Sequence, residues 1–270
     1  MQRLAALVLL VALGGLAPAA CAQSIWLDRV SPRTIHLEGA KPFLEGDRDG
    51  FFTTTWFLST RLPLGERLAF VGELPFATAK TAFDLPTFGL FEASSSAIGN
   101  PYLGIETRPA SGRGSRFELG VRLPAASDNE FATATGAATD VDRWEAFFPD
   151  IIVLRSTFHW RDDVVGKPGI DVRLGPALWL ADGLGGNAEI FAHYGLQFLY
   201  HGTEARAGAG IGGRWLLTGG GDLGASSVHQ VEAAADFLPG RVRPGVTLRI
   251  PLEDNGIDLA LGLTLNVVLQ

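Results

Sequence analysis

Toward its C-terminal end the chain places an aliphatic residue at every second position. Ile257, Leu259, Leu261, Leu263, Leu265, Val267 and Leu269 are interleaved with Asp258, Ala260, Gly262, Thr264, Asn266 and Val268. A β-strand sends successive side chains to opposite faces, so the segment predicts a strand with one greasy face and one mostly small or polar face. A helix would scatter both sets around its circumference. The alternation recurs upstream. Phe117, Leu119, Val121 and Leu123 alternate with Glu118, Gly120 and Arg122, and Ile170, Val172, Leu174, Pro176, Leu178 and Leu180 alternate with Asp171, Arg173, Gly175, Ala177, Trp179 and Ala181. The stretches 190–200 and 246–252 behave alike, and weaker versions lie near 33–38, 51–62, 66–78, 98–108, 149–161, 203–217 and 226–238.

These segments predict about twelve strands, within a range of ten to twelve, most of them suited to a tilted membrane strand of about 9–11 residues and longer than the usual soluble strand of about 5–6. After Gln23 there is no run of apolar residues long enough for a spanning helix, and only helices and closed barrels satisfy every backbone group in lipid. The expected fold is all-β: one closed antiparallel up-and-down transmembrane barrel over residues 23–270. Outer-membrane barrels have short periplasmic turns and longer outer loops. Pro63-Leu64-Gly65, His201-Gly202 and Pro239-Gly240 read as the tight turns, and 79–97 and 126–148 as long outer connections. Phe76 and Trp215 are the candidate aromatics of the outer girdle, and Trp160, Tyr200 and Phe237 those of the inner one.

The N-terminus adds a route out of the cytoplasm. Arg3, the apolar Leu4–Leu16 and Ala20-Cys21-Ala22 have the anatomy of a signal peptide, 1–22, cleaved near Ala22. The competing reading makes Cys21 a lipidated N-terminus. Cys21 is the one cysteine, which rules out an internal disulfide and a cysteine-based zinc site. A net charge of −7 without a basic stripe argues against nucleic acid as a partner. The expected surroundings are outer-membrane lipid, with no metal or cofactor.

If the aliphatic faces meet lipid, the other faces line a lumen. The candidate lining is Arg61, Glu73, Glu106, Arg108, Glu118, Arg122, Arg155, His159, Asp171, Arg173, His193, Arg206, Arg214, Glu232, Asp236, Arg249 and Asp258. Charges of both signs then stand on neighbouring strands, and burying any of them without a partner or water is costly. A water-filled passage and a dense ion-pair network both solve this, with opposite functional meanings. Twelve strands lie between the filled eight-stranded barrel and the open sixteen-stranded porin. The segment 126–148 carries Asp128, Glu130, Asp140, Asp142 and Glu145 beside Phe131 and Trp144. Its favoured reading is a solvated surface loop; an inward constriction and a divalent-cation site are the alternatives.

The residues from Leu62 to Phe76 (LPLGERLAFVGELPF) and the segment Ile98-Gly99-Asn100-Pro101-Tyr102-Leu103-Gly104-Ile105-Glu106 are similar to a hairpin and a glycine-then-strand segment of the bacterial outer-membrane transporter barrels related to meta-pathway phenol degradation. The resemblance implies an outer-membrane location and passage of small, including hydrophobic, molecules; it brings no catalytic residues. A barrel lipid hydrolase would need serine and histidine within hydrogen-bond reach. Ser156 and His159 differ by an odd number of positions and so point to opposite faces. The leading expectation is a passive channel or transporter that is not an enzyme. A structural barrel plugged by ion pairs or by Ser24–Pro32 comes second, and a lipid-modifying enzyme third.

Overall fold

The computed structural model describes residues 33–44, 53–85, 89–107, 114–126, 130–181, 188–218 and 227–269. The expected signal peptide, the segment Ser24–Pro32 and Arg108 lie outside these residues. Among the described residues there are thirteen strands: β1 (Thr34–Leu44), β2 (Thr54–Pro63), β3 (Leu68–Leu85), β4 (Gly89–Ile98), β5 (Tyr102–Thr107), β6 (Gly114–Arg122), β7 (Ile151–Asp162), β8 (Pro168–Ala181), β9 (Ala188–His201), β10 (Ala205–Leu216), β11 (Ser227–Phe237), β12 (Val242–Pro251) and β13 (Ile257–Val268). Antiparallel pairing joins strands adjacent in sequence from β1 to β13, except that β5 pairs with β3 instead of β4, and β13 pairs back onto β1 from Thr34↔Val268 to Leu44↔Ile257. The sheet is thus closed, with no edge left in the wall.

The wall has twelve strands because β4 and β5 share one place in it. The inner part of β3 pairs with β5 through Leu68↔Thr107 to Glu73↔Tyr102, and its outer part pairs with β4 through Phe76↔Ile98 to Leu85↔Gly89. Gly99-Asn100-Pro101 interrupts the shared strand. The segment 79–97, expected as a long outer connection, is therefore largely a two-stranded continuation of the barrel. The short strand expected near 33–38 extends to Leu44.

The two faces are divided as the alternation demands. Leu37, Leu58, Leu74, Leu103, Leu119, Leu174, Phe198, Val246 and Leu263 are exposed on the outside, as are Phe76, Trp160, Tyr200, Trp215 and Phe237. The largest fully buried side chains include Arg116, Arg122, Arg155, Arg161, Arg173, Arg249, His159 and His193. The molecule is greasy outside and ionic inside, the reverse of a water-soluble sandwich. Small inward residues make room for this content. Gly104 and Gly120 stand side by side on β5 and β6, and the Tyr102 ring lies where their β-carbons would be. One expected lining residue turns the other way. The β1–β13 register steps from Phe43↔Leu259 to Leu44↔Ile257, skipping Asp258. The irregularity reverses the alternation, so Ile257 is buried and Asp258 is exposed.

Candidate functional site

The connection between β6 and β7 leaves from the loop end of the barrel and folds into the lumen. It forms an α-helix, α1 (Glu130–Thr139), followed by a 3₁₀ turn over Val141–Phe147. The favoured reading of this segment as a solvated loop is corrected: Asp140, Asp142, Arg143 and Glu145 are all buried. Local chemistry explains its shape. The run Ala132, Ala134, Gly136, Ala137 and Ala138 gives α1 a thin profile, and Ala132 packs against Ala79 and Ala97 of the β3–β4 ribbon. The Thr135 and Thr139 hydroxyls donate back to the carbonyls of Phe131 and Thr135 at 2.8 and 2.6 Å, which satisfies both hydroxyls inside the lumen at a small cost to the helix ladder. Asp140 ends the helix and caps the next turn, its carboxylate accepting from the Asp142 amide at 3.0 Å.

The strand break at Gly99-Asn100-Pro101 is the plug's backbone anchor. The Asn100 amide group donates to the carbonyls of Glu145 and Phe148 at 3.1 and 2.6 Å. Its carbonyl oxygen accepts from the Ala125 and Ala126 amides, both at 2.7 Å. One side chain thus holds both ends of the inserted segment. The Asn100 backbone amide donates to Ala146 at 2.6 Å, and a β-carbon at Gly99 would collide with that same carbonyl. Aromatic contacts add an apolar seat: Phe147 packs on Phe57, and Trp144 and Phe148 pack on Trp179.

The charged side chains of the 3₁₀ turn then divide by direction. Arg143 faces β1 and β3, donating to Glu38 at 2.5 Å and to Glu73 at 3.4 Å; it also donates to Asp140 at 2.7 Å and lies 3.3 Å from the centre of the Phe57 ring. Asp142 accepts from both terminal nitrogens of Arg173 on β8, one of them at 2.6 Å, a two-point geometry natural to a guanidinium. Glu145 accepts from Arg155 of β7 at 2.8 Å and from Arg214 of β10 at 2.7 Å, with Arg122 of β6 at 3.8 Å. Asp140 accepts from Gln230 of β11 at 3.1 Å and stands 3.6 Å from Arg249 of β12. Burial pushes the Glu145 carboxyl up, but Arg214, Arg155 and Arg122 outweigh it and hold the group at about 2. Burial likewise opposes the charge on Asp140, and Arg249 and Arg143 overcome it, keeping this carboxyl below its usual range.

The remaining expected lining residues occupy the lumen in smaller groups. Glu73 accepts from Arg122 at 2.8 Å, and Glu118 accepts from the Tyr102 hydroxyl. Toward the terminal end Arg61 pairs with Glu106, Arg206 pairs with Asp236 at 2.6 Å, and His159 pairs with Asp171. His193 contacts the Thr157 hydroxyl, Glu232 contacts Gln230, and Arg249 reaches Glu38. Arg116, Arg161, Gln197 and Glu38 are buried lining residues that the sequence reading did not single out. The signal for Arg116 and Arg161 was present: each is two positions from a residue assigned to the lumen, Glu118 and His159, and so shares its face. Ser156 and His159 lie on opposite faces of β7, with His159 inward.

Above the plug, at the loop end, is a cavity of about 450 Å³ lined mainly by apolar groups, including Ala134, Ala137, Val141, Trp144, Phe147, Phe148 and Val228. Below it, near the terminal end, a space of about 10 Å³ beside Arg161, Gln197, Arg206 and Asp236 has room for about one water.

The chain is similar in shape to the COG4313 outer membrane channel from Pseudomonas putida F1, with a TM-score of 0.61 and 13% identity over 88% of this chain and 96% of that one. It is also similar to the NanC porin, with a TM-score of 0.50 and 6% identity over 87% and 99% of the two chains. At such identities the likeness is one of fold, that of a closed outer-membrane β-barrel. No family model matches the chain, and no curated protein matches it in sequence.

Proposed function

We propose that this chain is an outer-membrane channel for small molecules, closed in the present conformation by residues 130–148 and opened when that segment leaves the lumen. The observation that carries this reading is that the obstruction is an insert and not the wall. The segment enters and leaves through one end, between β6 and β7, and those strands pair with each other independently of it, from Gly114↔Arg161 to Arg122↔Val153. Withdrawing the insert breaks no pairing of the wall. The apolar exterior fits a lipid setting, reached by cleavage of the leader near Ala22. The likeness of 62–76 and 98–106 to the meta-pathway transporter barrels supports passage of small organic solutes. The apolar cavity at the loop end has the size and character of a ligand site and would receive molecules with a hydrophobic part.

Replacing 130–148 by a short Gly-Ser linker tests the proposal in planar bilayers. Wild-type protein is expected to show small or infrequent current steps and the linker variant a steady, larger conductance. Folding of both is checked by heat-dependent migration in detergent gels. A folded linker variant without conductance above background overturns the channel. It would favour the second reading, a structural barrel whose ion pairs serve only to fill it, which draws support from the carboxylates gathered around Arg143.

A further inference from the structure

The plug carries a chemical pattern that extends the channel reading, on which this inference rests. Its 3₁₀ turn presents three carboxylates, Asp140, Asp142 and Glu145, and one guanidinium, Arg143. The carboxylates of Asp142 and Glu145 both point to one sector of the wall, where Arg155, Arg173 and Arg214 stand on β7, β8 and β10 with side chains buried beside the plug. On the opposite sector the wall offers Glu38 and Glu73 to Arg143. The arginine sector is not saturated. Arg155 Nε and Arg214 Nε, both buried, have no hydrogen-bond acceptor among the described residues, and Arg155 Nη2 reaches Asp142 only at 4.0 Å. The sector thus has more donors than the two plug carboxylates satisfy.

We infer that the plug acts as an internal stand-in for the cargo, and that the open channel selects small organic anions bearing carboxylate groups. When the segment withdraws, Arg155 and Arg214 lose Glu145, and Arg173 loses Asp142, its strongest counter-charge, keeping only the weaker influence of Glu232 and Asp171 on the wall. A buried guanidinium without an anion is costly, so the site favours a replacement carboxylate. Two such groups on one solute would occupy the places of Asp142 and Glu145. Cations meet the same sector as a barrier, because a charged cleft with low-dielectric walls concentrates ions of the opposite sign. Entry of an anionic solute and release of the plug are then linked: each competes with the other for the same donors.

The test is reversal potential in a potassium chloride gradient across planar bilayers. Three proteins are compared: wild type, the double variant Asp142→Asn with Glu145→Gln, and Asn100→Ala, which loosens the backbone anchor and leaves every charge in place. Heat-dependent gel migration verifies each fold. The double variant is expected to carry at least about tenfold more current than wild type, because the amides no longer neutralise the arginines. In all three, open events should prefer chloride over potassium by about threefold or more. Succinate added to one side should reduce the chloride current, while glucose or ethylenediammonium at equal concentration should not. Adding Arg173→Gln to the double variant should lower the chloride preference. Conductance that is unselective or cation-selective, or equally insensitive to all three solutes, overturns the anion inference and leaves the channel standing. Absence of current from every folded variant overturns both. Should the double variant not fold, the Asn100→Ala channel decides on the same criteria.

Discussion

Arg143 shows what a single buried guanidinium does in this lumen. It contacts Glu38 of the first strand, Glu73 of the third and Asp140 of its own segment, and it rests on the face of Phe57. None of these partners gains much when taken out of water as a pair, because desolvation offsets most of the Coulomb attraction. Removing one member is a different matter, since the others stay buried without a counter-charge. Arg143→Met keeps much of the volume and is expected to destabilise the folded barrel by about 3–5 kcal/mol, read from the urea dependence of refolding in detergent or lipid. Adding Glu38→Gln to Arg143→Met should return part of that loss, because the uncompensated carboxylate is removed. Equal and additive losses from the two substitutions would show that Arg143 and Glu38 do not act on each other. On the adjoining stretch of wall, where Tyr102 pairs with Glu73, Gly104 and Gly120 serve by having no side chain, since the Tyr102 ring lies over them while its hydroxyl donates to Glu118.

At the scale of elements, the plug is held by charge, by one asparagine and by small-residue packing, and only the first of these responds to pH. Glu145 faces Arg122, Arg155 and Arg214, and its carboxyl titrates at about 2 where an unperturbed one titrates at 4.5. A group depressed on folding stabilises the docked state fully above its free value and loses that contribution as pH falls toward the bound value. Docking is therefore expected to be undiminished at pH 7, to weaken below about 4.5, and to lose the Glu145 contribution below about 2. Amide exchange protection over 140–147, corrected for intrinsic rates, would follow this course; protection unchanged between pH 7 and pH 2.5 would contradict it. The strands were legible in the sequence because a period of two marks both faces wherever the register is regular: Ile170–Pro176 and Leu259–Val267 carry their aliphatic residues on one face throughout. The β3–β4 ribbon was less so, since Ala77–Ala82 and Ala93–Ala97, which are Ala, Thr, Ser and one Lys, offer no greasy row. The plug was hidden for a physical reason. A loop dense in Asp, Glu and Arg reads as solvated unless its counter-charges are known, and those stand on strands far away in sequence, such as Arg214 and Glu38. Asp258 misled in the opposite way, because a single register slip inverts every face beyond it.

For the molecule as a whole, the decisive fact is that the plug touches both banks of the seam where the sheet joins its own beginning. Glu38 on β1 and Arg249 on β12 contact each other, flank β13 and both reach the 3₁₀ turn, through Arg143 and Asp140. Bringing the first and last strands of such a chain together carries a loop-closure cost that is not recovered until their pairing forms. A charged body already seated in the lumen, with one hand on each bank, shortens that search. We therefore expect biogenesis to proceed inward before it proceeds around, with the insert seated first and the seam zipped over it last. Glu38→Gln should then slow the gain of compact gel migration after dilution from urea into lipid vesicles, with little effect on the final yield; an unchanged rate would mean that the insert arrives after the ring is whole.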